Sequence, residues 1–103
     1  MFHTQTGIFH LYPHQIIYAK AEHRKVEIYL INNVEDRISI GISDCAKKLE
    51  PHGFFQIHRS YLINLNYVLY FNTHKGVVKL YNGLSLPVVK SRIAPLAEIL
   101  LEK

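Results

Sequence analysis

Residues 54–65 read Phe54-Phe55-Gln56-Ile57-His58-Arg59-Ser60-Tyr61-Leu62-Ile63-Asn64-Leu65. The stretch begins and ends apolar, yet polar side chains interrupt it, and a buried polar group is tolerated only where it is hydrogen-bonded. Phe54, Phe55, Tyr61, Leu62 and Ile63 belong in a core or on a sheet, because their large apolar area is better buried than displayed. Asn64 is expected to close a turn through backbone hydrogen bonds rather than to read a ligand. His58 has two open readings, a hydrogen bond within the core or a place in a binding surface with Arg59.

Outward from this segment the pattern is that of β structure. Upstream, residues 8–12 and 16–21 read as strands separated by Pro13 and His14. Residues 25–31 alternate Val26, Ile28 and Leu30 against Glu27 and Tyr29, the period of a half-buried strand, and Asn32-Asn33 turns it. Residues 37–42 repeat the alternation with Ile38, Ile40 and Ile42 on one face. Ser43 is placed to cap a short helix with Asp44 in its first turn and Ala46 and Leu49 facing inward, and Pro51 ends it.

Downstream, residues 68–71 and 77–81 read as strands joined through Asn72-Thr73-His74-Lys75-Gly76. Asn82-Gly83 is a strong hairpin signal, with residues 84–88 as the returning strand. Ser91 is placed to cap a final helix in which Ile93, Leu96, Ala97 and Leu100 share a face, Pro95 being tolerated in the first turn. The expectation is one mostly β domain with two short helices, without internal repeat or linker.

Composition agrees. A chain of 103 residues, 49% hydrophobic and 19% charged, can bury one core and is too short for two. Its single cysteine, Cys45, excludes an intrachain disulfide and points to the cytoplasm. No run approaches the roughly 20 apolar residues that span a bilayer, so a membrane is not an expected partner. The spacings of phosphate loops, zinc proteases and nucleophile elbows are absent, so neither catalysis nor a small-molecule substrate is expected. His10 and His14 lie four apart, but Pro13 argues against the helix that would align them, and no metal or cofactor is expected.

The net charge of +4 admits a polyanionic partner without demanding one. The basic residues fall at turns and element ends: His23-Arg24-Lys25, His58-Arg59, Lys75 and Lys90-Ser91-Arg92. Loops on a rigid β scaffold commonly carry binding residues, and arginine forks match phosphate or the edge of guanine. On charge alone, nucleic-acid binding stands only slightly above a generic interaction surface.

Residues 54–65 closely resemble the signature of the LytTR family, a phenylalanine followed by His-Arg-Ser-x-x-Val/Ile-Asn. Ile16-Ile17-Tyr18-Ala19-Lys20-Ala21 looks like the family's early strand, residues 46–49 its short helix, and Asn82-Gly83-Leu84-Ser85-Leu86-Pro87-Val88 its late hairpin. The likeness covers about residues 8–101 and departs from the common pattern toward positive charge, at Gln15, Lys20 and Val89-Lys90.

It implies an elongated antiparallel β-sheet sandwich with two short helices, occupying 1–103 as a single domain without a receiver domain. Such domains insert loops into DNA major grooves, usually at promoter direct repeats, as outputs of bacterial two-component response regulators. The implied contact residues are Arg24, Lys25, His58, Arg59, Lys90, Ser91 and Arg92, the implied partner is double-stranded DNA, and self-association on DNA would raise affinity. The alternatives are an interaction module of the same fold that has lost DNA binding, and a single-stranded nucleic-acid binder using the tyrosines.

Overall fold

The computed structural model describes residues 2–4, 7–9, 11–32 and 35–102, and the side chains of 11–32 and 37–102. In chain order the elements are β1 (Phe2–Thr4), β2 (Gly7–Phe9), β3 (Ile16–Glu22), β4 (Lys25–Leu30), β5 (Glu35–Ile38), α1 (Ile42–Leu49), β6 (Phe54–His58), β7 (Tyr61–Asn64), β8 (Val68–Asn72), β9 (Val77–Leu80), β10 (Ser85–Pro87) and α2 (Lys90–Leu101). The described strands form a seven-stranded antiparallel sheet ordered β2-β1-β5-β4-β3-β7-β6 and a three-stranded one ordered β10-β9-β8. The molecule is elongated, measuring 40 × 24 × 23 Å.

Among the described residues, each face of the large sheet carries a hydrophobic core. On one, Ile16, Ala19, Val26, Ile28, Ile38, Phe54 and Leu62 pack with Cys45, Ala46 and Leu49 of α1. On the other, Ile17, Tyr18, Ile57 and Ile63 pack with Val78, Leu80 and Leu86 of the small sheet and Leu96 of α2. A register shift between Ile16 and Tyr18 lets Ile17 and Tyr18, adjacent in sequence, both serve the second core. Tyr18 and Tyr29 stack on that side with centroids 4.3 Å apart. Next to them the buried Glu27 accepts from Arg37 and from the Tyr29 hydroxyl, each at 3.3 Å, so its carboxylate is matched.

Asn64 is 1% exposed and works as its sequence suggests. Its Nδ2 donates to the Ile16 carbonyl at 2.9 Å, and its Oδ1 accepts from the Asn66 N–H at 3.0 Å, opening a single 3-10 turn. It thereby stitches the end of β7 to the start of β3.

Several boundaries differ from expectation. The strand expected at 8–12 is β2, ending at Phe9, with His10 outside the described residues, and the expected turn at Asn32-Asn33 is described only through Asn32. β5 stops at Ile38, and Ile42, expected on that strand, opens α1. Gly41 is the N-cap, so Ser43 lies within the helix, while Asp44 falls in the first turn as expected. Likewise α2 begins at Lys90 behind an N-cap at Val89, so Ser91 is internal. Pro95 then falls in the second turn, where it withdraws the N–H that Ser91's carbonyl would accept.

Candidate nucleic-acid interface

The first basic loop is the hairpin between β3 and β4, in which Glu22 pairs with Lys25 and His23-Arg24 forms the turn. His23 has φ 58°, the positive value that a primed two-residue turn needs at its first central residue, and histidine adopts it more readily than most. Arg24 is exposed and Lys25 half-exposed. Glu22 lies 3.7 Å from Lys20 Nζ and 4.0 Å from His23, leaving the guanidinium of Arg24 without a carboxylate partner among the described residues. Beside the turn is an open depression of about 380 Å³ lined by Glu22, His23, Arg24, Lys25 and Arg37.

The second loop is the β6–β7 turn. The Ser60 N–H donates to Nδ1 of His58 at 3.0 Å, and Gln56 Nε2 donates to the His58 carbonyl at 3.3 Å. A neutral imidazole accepting through Nδ1 carries its proton on Nε2, so His58 keeps one donor while shaping the turn. Its ring leans on Tyr61, centroids 5.5 Å apart. Arg59, at the crest, is exposed.

The third loop leads into α2. Lys90, Ser91 and Arg92 are all exposed on its first turn, where the helix dipole favours anions. The β8–β9 turn adds His74 and Lys75, whose amides both donate to Asn72 Oδ1, at 3.1 and 3.0 Å.

Three backbone hydrogen bonds join these loops at one end of the molecule. The Ala21 N–H donates to Ser60 O at 2.8 Å, Val89 to Ile57 O at 2.9 Å, and Val88 to Gly76 O at 2.8 Å. Gly76 has φ +64°, and a Cβ there would lie 3.2 Å from both the Val88 carbonyl and Ile93 Cδ1, so a glycine lets the β8–β9 turn sit this close to α2. All seven residues expected from the sequence therefore lie on loops or element ends drawn together at one end. The β3–β4 hairpin joins the β6–β7 turn through Ala21 and Ser60, and the segment before Lys90 joins β6 through Val89 and Ile57.

Two further residues here were not among the expected contact residues. Lys75 is visible as a turn cation but joins the group only through the Gly76–Val88 bond. Phe55, read as a core residue, is half-buried, and its ring lies under the Arg92 guanidinium, 5.7 Å from ring centroid to Cζ.

The thiol of Cys45 lies in the core under α1, and burial pushes its pKa up to about 11, so it is no nucleophile at neutral pH. Among the described residues no group of His, Cys, Asp and Glu could hold a metal ion, and no helix is long and apolar enough to cross a membrane.

A mostly β fold with basic loops gathered at one end defines a class, and residues 6–101 match the sequence model of the LytTr DNA-binding domain, so the chain belongs to the LytTR family, a family of DNA-binding domains and not of enzymes. It is 31% identical over 78 residues to the sensory transduction protein LytT of Oceanobacillus iheyensis, a match that takes in 76% of this chain and spans 29% of that relative. Its fold is shared with the LytTr DNA-binding domain of a Bacillus cereus protein described as a methyl-accepting/DNA response regulator. That likeness has a TM-score of 0.78 and 21% identity over 99% of this chain and 94% of the other.

Proposed function

We propose that this chain binds duplex DNA sequence-specifically and serves as the DNA-binding part of a bacterial transcriptional regulator, acting in the cytoplasm as a single domain, either attached to a receiver or alone. The observation that carries the proposal is the convergence of separate basic loops at one end, fixed by the Ala21–Ser60, Ile57–Val89 and Gly76–Val88 hydrogen bonds. A fixed set of loop tips can enter grooves without the cost of ordering them first. The membership in a family of DNA-binding domains supports the same reading.

In this reading Arg24, Arg59 and Arg92 supply base or phosphate contacts, and Lys25 and Lys90 neutralise phosphate. Ser91 and the α2 N-terminal amides meet a phosphate oxygen. His58 holds the β6–β7 turn and offers Nε2–H outward. The loops enter the major groove. One module of this size makes few contacts, so two copies on a direct repeat, associating on the DNA, raise the effective affinity.

Selection of bound sequences from a random duplex library, at low and moderate salt, tests the proposal without a known operator. Enrichment of a motif, with a spaced repeat for paired copies, is the expected result. Salt-sensitive binding without enrichment would reduce the role to electrostatic affinity, and absence of binding would favour an interaction module of the same fold.

A further inference from the structure

Among the cations at the binding end, Arg92 is distinguished by what holds it. Arg37, on β5 beside the first basic loop, is held by a carboxylate: its Nε and terminal nitrogen both reach Glu27 Oε2 at 3.3 Å. That pairing consumes donors and cancels charge. Arg92 has no carboxylate partner among the described residues, and its guanidinium instead lies over the Phe55 ring. A cation–π contact, unlike an ion pair, leaves the charge of the guanidinium uncancelled and most of its five N–H donors free for another partner. Stacking can therefore fix an arginine in space while keeping it available to a phosphate or a guanine edge.

The backbone makes the shelf rigid. Phe55 is on β6 between the buried Phe54 and the half-buried Gln56, and two residues on the Ile57 carbonyl accepts from the Val89 N–H at 2.9 Å. The Arg92 N–H in turn donates to the Val89 carbonyl at 2.9 Å. Ring and guanidinium are thus anchored to one another through a short run of backbone bonds. No such shelf is seen beneath Arg24 or Arg59, both exposed on turns.

We propose that Phe55 is a positioning residue for DNA binding: it touches no DNA, and it presents the Arg92 guanidinium over its ring so that the duplex meets an arginine already oriented. This rests on the reading of the chain as a duplex DNA binder.

The test is a double-mutant cycle on the duplex enriched from the random library, at a temperature where every variant is folded by circular dichroism. Phe55→Leu is expected to weaken binding about three- to tenfold and Phe55→Tyr to retain it within about twofold, because tyrosine keeps the ring. In an Arg92→Ala background the Phe55→Leu effect should vanish. Equal losses in both backgrounds, or none in either, would overturn the proposal while leaving DNA binding standing. A wild-type chain that binds no duplex would fail at the earlier step and take the proposal with it. In the unbound wild-type protein the Arg92 δ-methylene protons should resonate upfield under the ring current of Phe55. Their appearance at ordinary positions would also overturn the proposal, even if Phe55→Leu failed to fold.

Discussion

Replacement of Asn64 by alanine tests whether the signature asparagine serves the fold or the DNA. Its side chain is almost wholly enclosed and makes two short bonds, to the Ile16 carbonyl at 2.9 Å and from the Asn66 N–H at 3.0 Å. Each such bond contributes about 1 kcal/mol net, and a buried carbonyl deprived of its donor costs about 1–3 kcal/mol more. The expected loss is therefore about 3 kcal/mol, a large part of the roughly 5–15 kcal/mol by which small domains are stable. Asn82 makes a similar local bond, its Oδ1 accepting from the Leu84 N–H at 3.0 Å, but at an exposed turn where water replaces it. Asn82→Ala should thus cost less than about 1 kcal/mol. Urea unfolding followed by circular dichroism gives both values. Equal losses, or a loss below about 1 kcal/mol for Asn64→Ala, would refute the assignment of Asn64 as the tie between β7 and β3. So would a tenfold loss of DNA affinity in a variant shown to be folded.

Other outcomes follow from single features of the structure. Gly76→Ala should cost about 1–3 kcal/mol, since it places a Cβ against Val88 and Ile93 at positive φ, and thermal melting will read it. Cys45 has a folded pKa raised from 9.0 to about 11. The folded state therefore keeps its proton where the unfolded state has lost it, so this stability is whole below pH 9 and falls away between pH 9 and about 11. The loss is on the order of 3 kcal/mol, and it should be absent from Cys45→Ala in urea titrations across that range. If Arg59 reads a base, Arg59→Ala should cost about 1–3 kcal/mol and relax preference at one base pair. If it meets phosphate, all sequences should weaken alike and the salt slope should fall by about 0.9.

Where the sequence carried a period, it located the strand. Val26, Ile28 and Leu30 alternate because one face of β4 meets the α1 core, and Glu27, though buried, reads as surface because its partner Arg37 is distant in sequence. Where two periods overlap, the reading slipped: Ile38, Ile40 and Ile42 continue a strand by alternation, but the chain bends at Ser39 and Ile40, and Ile42 enters α1. Ser43 and Ser91 resemble caps, yet both helices start earlier, at Gly41 and Val89, whose extended backbones supply the entry without a side-chain bond. The basic loops were legible because charge at turns stands out against apolar strands. Their convergence was not, since it depends on hydrogen bonds between Ala21 and Ser60, Ile57 and Val89, and Gly76 and Val88. Phe55 was hidden for the same reason: in a strand pattern a phenylalanine reads as core, and only the fold brings Arg92 over its ring.

The central claim is that DNA meets the end where these loops converge, and the most direct measurement is a titration of the isotopically labelled chain with the enriched duplex, followed by amide chemical shifts. The account predicts that the largest changes fall at residues 22–25, 58–61, 74–76 and 88–92, in one saturable process that weakens with salt. Changes concentrated instead on the apolar groove of about 360 Å³ between β8 and the end of α2, lined by Leu69, Tyr70, Ala97 and Leu101, would contradict it.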